Sequence, residues 1–402
     1  MDERPPQRMG TKDSTTRHGK RVIVAMSGGV DSSVAAYLLH RQGHDVIGVT
    51  MRLWSADEDD VSPDHQGCCS IQDIEDARRV CQVLGVPHYV VDARREFREH
   101  VVAYFVSEYE RGRTPHPCIA CNDRIKFDFL MQRAAMMDAD YVATGHYARI
   151  ERDSVEGTWT LRQGVDAGKD QSYVLFGLGQ EQLGHVLLPV GAYAKEEIRA
   201  LAREAGFHLA DKADSQEICF IPSGDYRRFM RKESAPEPGE VVDAAGRVVG
   251  EHPGIEFFTV GQRRGIGVAP SALGLPEGEK LFVTAVDPAT RRITVGASRD
   301  LLRHGVRVGN VRYVAGARPA DPCRVAIRIR YNGRPASAVL HHDGDGAVLW
   351  FDEPQRAITP GQAAVFYDGD RVLGGGFIEG PAEAWLPSIA ENNGPAGVPA
   401  AV

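Results

Sequence analysis

No stretch of the 402-residue chain holds the roughly 18 consecutive apolar residues that a membrane-spanning helix needs. The opening segment, MDERPPQRMGTKDSTTRHG, is polar and has neither an apolar h-region nor a small-residue cleavage site. A cytoplasmic protein with no membrane partner is expected, with residues 1–19 a disordered extension. Cysteine is scarce as well. Seven thiols, unevenly spaced over so long a chain, are too few for a disulfide framework, so reduced cysteines with chemical or metal roles are expected. Net positive charge is missing too: the formal charge is −8, which argues against a general coat for nucleic acid. Local clustering can still supply it. Between Arg303 and Arg334 the chain carries eight Arg and a single acid, Asp321, while acids gather elsewhere, as in Asp57-Glu58-Asp59-Asp60. A basic face on an acidic protein suits a particular RNA better than bulk polyanion.

The chain is too long for one ordinary core, so two or three domains are expected. From Lys20 short apolar runs alternate with helical ones: a strand over Arg21 to Met26, a helix over Ser32 to Arg41 and a strand over Asp45 to Met51. A helix over Ile71 to Leu84, a strand over Pro87 to Val91, a helix over Phe97 to Glu110 and a strand over Tyr141 to Thr144 follow. This alternation predicts an α/β fold with a parallel sheet covered on both faces, and Ser27, Met51 and Gly145 should line one crevice beyond the strand ends. After about Gly224, turn pairs separate short β-rich runs. From Leu301 strands recur at short intervals, the spacing of a small barrel. The expected divisions are a parallel-sheet domain at 20–224, a central β-rich domain at 225–300, a C-terminal β-barrel at 301–382 and a disordered tail at 383–402 rich in Pro, Gly and Ala. The sequence has no internal repeat.

Ser27-Gly28-Gly29-Val30-Asp31-Ser32 follows the first strand and opens a helix, where unpaired N–H groups and the helix dipole favour phosphate. No Lys follows in the Gly-x-x-x-x-Gly-Lys-Ser/Thr arrangement, which excludes the P-loop of motor proteins and GTPases. The loop instead resembles the PP-loop of ATP pyrophosphatases, which grips pyrophosphate as AMP is transferred. The resemblance implies that 20–224 is an ATP-binding catalytic domain. Asp31 either holds Mg²⁺ near the phosphates or caps the helix; one short carboxylate suits both roles.

Thr114 to Asn122 (TPHPCIACN) reads as a proline-stiffened loop between two helical segments, presenting Cys118 and Cys121 at C-x-x-C spacing. Far downstream, Asp214 to Pro222 (DSQEICFIP) adds Cys219. Taken in order, SGGVDS, GRTPHPCIACN, ATGHYA, GKDQSY, DSQEICFIP and GQRRGIG closely resemble the bacterial tRNA-specific 2-thiouridylase family, from about Lys20 to Gly380.

The resemblance implies ATP-dependent adenylation of the wobble uridine 2-oxygen of tRNA, followed by sulfur transfer from a cysteine persulfide. It implies that Cys121 is the nucleophile and Cys219 the persulfide carrier, the two ending as a disulfide. Ala25, Met26, Ser27, Gly28, Gly29, Val30, Asp31, Ser32, Met51 and Gly145 would contact ATP, with Mg²⁺ as companion. His146, Lys169, Asp170, Gln171, Arg330 or Tyr331 with Asn332, and Gln362 match positions at the tRNA surface. His116, Pro117 and Cys118 match the segment that meets the target base, where the family commonly has Asn in place of His116 and Asp in place of Cys118. The implied partners are tRNA and a sulfur-donor protein, either a cysteine desulfurase or a relay carrier.

Thiol exchange needs an accessible thiolate, which favours mobile loops for the working cysteines. Two metal readings stand beside persulfide chemistry: a zinc site of Cys118 and Cys121 with Cys68 and Cys69, and an iron–sulfur cluster on Cys118, Cys121 and Cys219. Cys81 and Cys323 read as small buried apolar residues. In the basic stretches, Tyr226 to Lys232 and Gln262-Arg263-Arg264 offer cations and an aromatic pair to RNA, and Tyr147 offers a stacking face for a flipped base. A PP-loop amide synthetase would leave Cys121 and Cys219 without chemical roles, and a nonenzymatic RNA binder would not need a complete SGGVDS loop.

Overall fold

The computed structural model describes residues 19–54, 70–214, 218–221, 224–276 and 278–382. The Asp57 to Asp60 run, Cys68, Cys69, Ser215, Gln216, Glu217, Pro222, most of the N-terminal extension and the C-terminal tail lie outside them.

Five strands form a parallel sheet: β1 (Arg21–Ala25), β2 (Asp45–Arg52), β3 (His88–Asp92), β4 (Tyr141–Ala143) and, after the hairpin of β5 (Ala148–Arg152) and β6 (Trp159–Gln163), β7 (Val186–Leu187). Their spatial order is β3-β2-β1-β4-β7. The apolar run of β1 is buried on both faces because successive side chains point opposite ways. Ile23 joins Val49, Phe97 and Val101 on one side. Val22 and Val24 join the other side, where α1 (Val30–Arg41), α2 (Ile71–Leu84) and α8 (Lys195–Glu204) contribute Val34, Val80 and Ile198. The chain steps outward from β1 to β2 and β3, then returns to place β4 on the opposite side of β1. That reversal opens a crevice at the C-terminal ends of β1 and β4, as expected for a doubly wound sheet.

The opposite layer begins with α3 (Arg94–Phe97), which runs through a π-helical turn, Arg98–Val102, into α4 (Ala103–Glu110). The expected loop at 114–122 is largely helix. His116 is its extended N-cap and Pro117 opens α5 (Pro117–Ala120), a position where the missing N–H costs nothing. The helix continues through a π-helical stretch, Cys121–Phe129, into α6 (Leu130–Met136). The short α7 (Gln180–His185) precedes β7.

After α9 (Tyr226–Glu233), the strands β8 (Gly239–Val242), β9 (Val248–His252), β10 (Phe282–Asp287) and β11 (Arg292–Gly296) form a sheet in the order β10-β11-β8-β9. The aromatics of α9 face inward instead of toward RNA. Tyr226 stacks on Tyr109 with centroids 5.3 Å apart, and Phe229 packs edge-on against Phe105 and Phe220. The last unit runs β12 (Leu302–Tyr313), β13 (Cys323–Arg328), β14 (Ala336–Asp343), β15 (Gly346–Arg356), β16 (Ala363–Asp368) and β17 (Arg371–Ala382). Pairing of β12 with β17 closes it into a barrel. The β5–β6 hairpin adds to its wall through Arg162 opposite Arg371, so the first unit is knitted into the last. Among the described residues no helix is long and apolar enough to cross a membrane.

Candidate active site

The glycine loop turns where β1 meets α1. Gly28 has φ +73°, and a Cβ there would lie 2.4 Å from the Asp73 carbonyl oxygen at the start of α2. Its flexibility and small size are both required. The loop braces itself: the Ser27 amide donates to Ser32 Oγ at 3.2 Å, and Ser33 Oγ donates to the Gly29 carbonyl at 2.8 Å. Gly145, beyond β4, lies against the same helix start, since a Cβ there would meet the Ser32 amide nitrogen at 2.6 Å. The N-terminus of α1 therefore opens into the crevice with its amides available to an anion.

That crevice is a cavity of about 800 Å³. Ala25, Met26, Ser27, Gly29, Val30, Asp31, Ser32, Met51 and Gly145 line it, with Gly28 behind the loop. His146, Lys169, Asp170, Gln171, Tyr331 and Asn332 line it too, so the loop and much of the expected RNA side share one space.

Sequence reasoning missed the charge network in this cavity. The buried Lys195 Nζ donates to Asp31 Oδ1 at 2.8 Å and Oδ2 at 3.0 Å, and pairs with Asp214 at 2.7 Å. Tyr147 OH donates to Asp31 at 2.6 Å, and Lys169 donates to Asp214 at 2.8 Å. The Asp31 carboxylate thus does not cap α1, which has no side-chain cap. Nor is Tyr147 a stacking face: it is buried, and burial followed by the Asp31 charge pushes its phenol up. Burial works to raise Asp214, but hydrogen bonds from Lys169 and Lys195 outweigh it and hold the carboxyl below its ordinary range. A second cation, Lys212, donates to the Gly28 carbonyl at 3.0 Å, Asp73 at 2.7 Å and Asp76 at 2.8 Å, tying the loop to α2. Asp31, Tyr147, Lys169 and Asp214 stand in motifs that the sequence shows, SGGVDS, ATGHYA, GKDQSY and DSQEICFIP. Lys195 and Lys212 stand in none and reach the loop through the fold.

Among the expected RNA-side residues, His146 is buried beside Thr144, with Nδ1 2.7 Å from the hydroxyl. Burial and the nearby Lys126 charge push it well below the ordinary imidazole range, so it is neutral. Asp170 is also buried; it accepts from Arg328 of β13 at 2.8 Å and from the Gly164 and Ser172 amides. It is a bolt between the first unit and the barrel. Gln362 donates to the Thr114 carbonyl at 2.8 Å, and the Thr114 amide donates to Pro360, so a barrel loop clamps the segment leading to Cys118.

His116 sits beside that clamp, its ring 5.7 Å from Tyr331 and 5.9 Å from Tyr173. Burial pushes the imidazole down to about 4, and its buried Nδ1 meets no hydrogen-bond partner among the described residues. Tyr331 therefore links the cavity wall to the Cys118 segment. Cys118 is exposed, Cys121 is buried on the helix, and Cys219 is half-buried. Cys121 and Cys219 border the same apolar cluster as Met51, Ile125 and Phe220. This differs from the expectation of mobile loops, because the apolar faces of Ile119 and Ile125 fold the C-x-x-C segment onto the core. Among the described residues no three His, Cys, Asp or Glu side chains gather to hold a metal, so Cys118, Cys121 and Cys219 do not fit an iron–sulfur cluster. Cys81 is buried with its thiol pushed up to about 11 by desolvation, as its reading as a core residue predicts, whereas Cys323 is only half-buried.

Three family profiles match the chain: the tRNA methyl transferase HUP domain over residues 20–223, the tRNA methyl transferase PRC-barrel domain over 227–297 and the aminomethyltransferase beta-barrel domain over 303–378. The tRNA-specific 2-thiouridylase MnmA of Clostridioides difficile (strain 630) is 47% identical over 363 residues, 90% of this chain and 98% of that protein. The MnmA of Moorella thermoacetica is 48% identical over 364 residues, 90% of this chain and 100% of that one. Among solved structures, a 4-thiouridine synthetase–RNA complex with bound ATP aligns at a TM-score of 0.31 with 18% identity, over 53% of this chain and 50% of that one, a likeness too slight to build on.

Proposed function

The chain belongs to the tRNA-specific 2-thiouridylase family, and we propose that its cavity joins ATP to the 2-oxygen of the wobble uridine while Cys219 and Cys121 handle the sulfur. It is an ATP-dependent tRNA sulfurtransferase. The observation that carries the detailed reading is the single cavity that holds both the phosphate-binding loop and residues of the barrel loop, Tyr331 and Asn332. Adenylation and sulfur attack must meet at one base, and Met51, which lines this space, packs in the apolar cluster that Cys121 and Cys219 border.

A uracil carbonyl oxygen is a poor leaving group. Transfer of AMP to O2, with release of pyrophosphate onto the loop and the α1 N-terminus, supplies a good one. Asp31 lines the cavity beside the loop, and a Mg²⁺ ion held there would share its oxygens with Lys195 and Tyr147 and would neutralise charge on the departing pyrophosphate. In the next step the terminal sulfur of a Cys219 persulfide attacks C2, and the C2–O2 bond to AMP breaks. Cys121 as thiolate then attacks Cys219 Sγ, the S–S bond breaks, 2-thiouridine leaves and a Cys121–Cys219 disulfide remains. Alternatively Cys121 attacks the persulfide first and frees sulfide, which ends in the same disulfide. A thiol reductant resets the pair. Sulfur arrives from a cysteine desulfurase or relay carrier, and the work is divided among the units at 20–224, 225–300 and 301–382 in the cytoplasm, where the tRNA substrate resides.

Nucleoside mass spectrometry of unmodified tRNA, incubated with ATP, Mg²⁺ and a persulfide donor, tests the reading. Wild type should form 2-thiouridine only with ATP, and Cys219→Ser should lose it. Thiolation that survives in Cys219→Ser would remove that residue as carrier.

A further inference from the structure

We propose that Cys118 is a further catalytic residue, the thiol that resets the enzyme after each turnover by drawing the disulfide off Cys219 and out to the surface. This rests on the reading above in one respect: sulfur transfer ends in a Cys121–Cys219 disulfide.

That end state blocks the enzyme. Cys219 accepts no new sulfur until the disulfide is broken, and the sulfurs that form it are poorly placed for a reductant from outside. Cys121 is buried, Cys219 is half-buried, and both border the apolar cluster of Met51, Ile125 and Phe220. Thiol exchange needs a thiolate with access to the sulfur under attack, so a bond in these surroundings is shielded. Cys118 supplies the access. It is exposed, and it stands on the helix that leads into Cys121.

The backbone sets the distance between the two thiols. The Cys121 amide donates to the carbonyls of Cys118 and Pro117, and Cys121 keeps helical dihedrals, φ −62° and ψ −44°. The cysteines are therefore one helical turn apart on one face, with Cα atoms about 5 Å from each other, inside the range that a disulfide spans. The turn is held from its start, because Pro117 opens it and Gln362 of the barrel loop donates to the Thr114 carbonyl just before it. Two other described cysteines are placed elsewhere: Cys81 packs on the opposite face of the parallel sheet and Cys323 against the barrel core.

The exchange balances without a further oxidant. Cys118 loses its proton to solvent, and its thiolate attacks Cys121 Sγ. The Cys121–Cys219 bond breaks, and its electron pair leaves on Cys219 Sγ, which takes up a proton. Cys219 is again a thiol that can be loaded, and the disulfide now joins Cys118 to Cys121 with one sulfur at the surface. A reductant thiol attacks Cys118 Sγ, and Cys121 departs as thiolate. A second reductant thiol then releases Cys118 and forms the reductant's own disulfide. Sulfur transfer thus stays on the buried side of the helix and reduction on the exposed side.

The test maps disulfides after a single turnover. The full chain, loaded with sulfur by a cysteine desulfurase and cleared of reductant, receives unmodified tRNA, ATP and Mg²⁺, is quenched in acid and alkylated with N-ethylmaleimide. Peptide mass spectrometry of the wild type should show Cys118–Cys121 as the main disulfide and Cys219 alkylated, alongside 2-thiouridine in the tRNA. Cys118→Ser should lose that disulfide and end with Cys121 joined to Cys219. If the variant fails to fold, the wild-type map decides alone. A wild type that forms 2-thiouridine without Cys118–Cys121 as its main disulfide overturns the proposal. So does a folded Cys118→Ser protein that forms no 2-thiouridine, since Cys118 would then be the first nucleophile. Failure of the family reading shows separately, as absence of 2-thiouridine from the wild-type assay.

Discussion

At the residue scale, two thiols three positions apart have opposite surroundings. Cys118 points outward from the first turn of α5, and Cys121 is buried against Met51 and Ile125. An exposed thiol exchanges readily with solvent oxidants, whereas a buried one is shielded until the site opens. The working thiol should be the one that shares an apolar cluster with Cys219. Cys121→Ser is therefore expected to abolish 2-thiouridine formation and Cys118→Ser to retain most of it, as measured by nucleoside mass spectrometry under reducing conditions. The reverse result would move the chemistry to Cys118. Next to this pair, Asp123 is driven by burial up to about 6, with the Arg312 charge opposing. Its folded pKa lies above the unfolded value, so the folded chain binds more protons between about pH 4 and 6. The stability that protonated Asp123 contributes is present below that window and lost as pH rises through it. Asp123→Asn should thus stabilise the protein at pH 8 by on the order of 2 kcal/mol and by much less at pH 4.5. Paired urea titrations of both proteins at the two pH values check the sign.

At the element scale, the phosphate loop depends on close approach between β4's exit and the start of α1. A methyl group on Gly145 would meet backbone atoms of Asp31 and Ser32, at 2.7 and 2.6 Å, which cannot rotate aside. Gly145→Ala should displace the N-terminus of α1 and lower tRNA-dependent pyrophosphate release on the order of 100-fold, with helix content unchanged by circular dichroism. Retained activity would place the phosphates elsewhere. The parallel sheet was readable because β1 and β2 are short, mostly apolar runs and the intervening helices keep a helical period. α2 was readable to the residue: Ser70 and Asp73 form a capping box before it and Gly85 ends it with φ +68°. The helix at Pro117 was not, because two prolines ahead of the cysteines look like loop chemistry, although Pro117 occupies the one helical turn that tolerates it. β17 was hidden for another reason. Its Gly374-Gly375-Gly376 run lacks strand character, but Cβ atoms there would meet the Arg312, Ala364 and Gly309 carbonyl oxygens as β12 and β16 press close. Only the closed barrel supplies that reason.

At the scale of the whole molecule, three units converge on one short segment. Thr114 accepts from Gln362 of the barrel through its carbonyl, donates to Pro360, and joins Thr259 of the central unit hydroxyl to hydroxyl at 3.0 Å. One tie between the first unit and the barrel is a buried ion pair: Arg328 of β13 on Asp170, with side chains 15% and 2% exposed. A salt bridge so placed adds little net stability, but removing one partner strands the other in low dielectric. Arg328→Met should therefore cost about 3 kcal/mol, the low end for a broken buried pair, because Ser172 and Gly164 still donate to Asp170. The functional consequence follows from what Arg328 positions. Tyr331, Asn332 and Gly333 continue directly from β13 into the cavity wall. Loosening β13 moves the side of the cavity proposed to face tRNA, while the loop and Asp31 stay with the parallel sheet. Steady-state thiolation should then show a raised KM for tRNA with the KM for ATP nearly unchanged. Equal rises in both constants would mean that the barrel supports the nucleotide site as well, and that the two halves of the cavity move as one body.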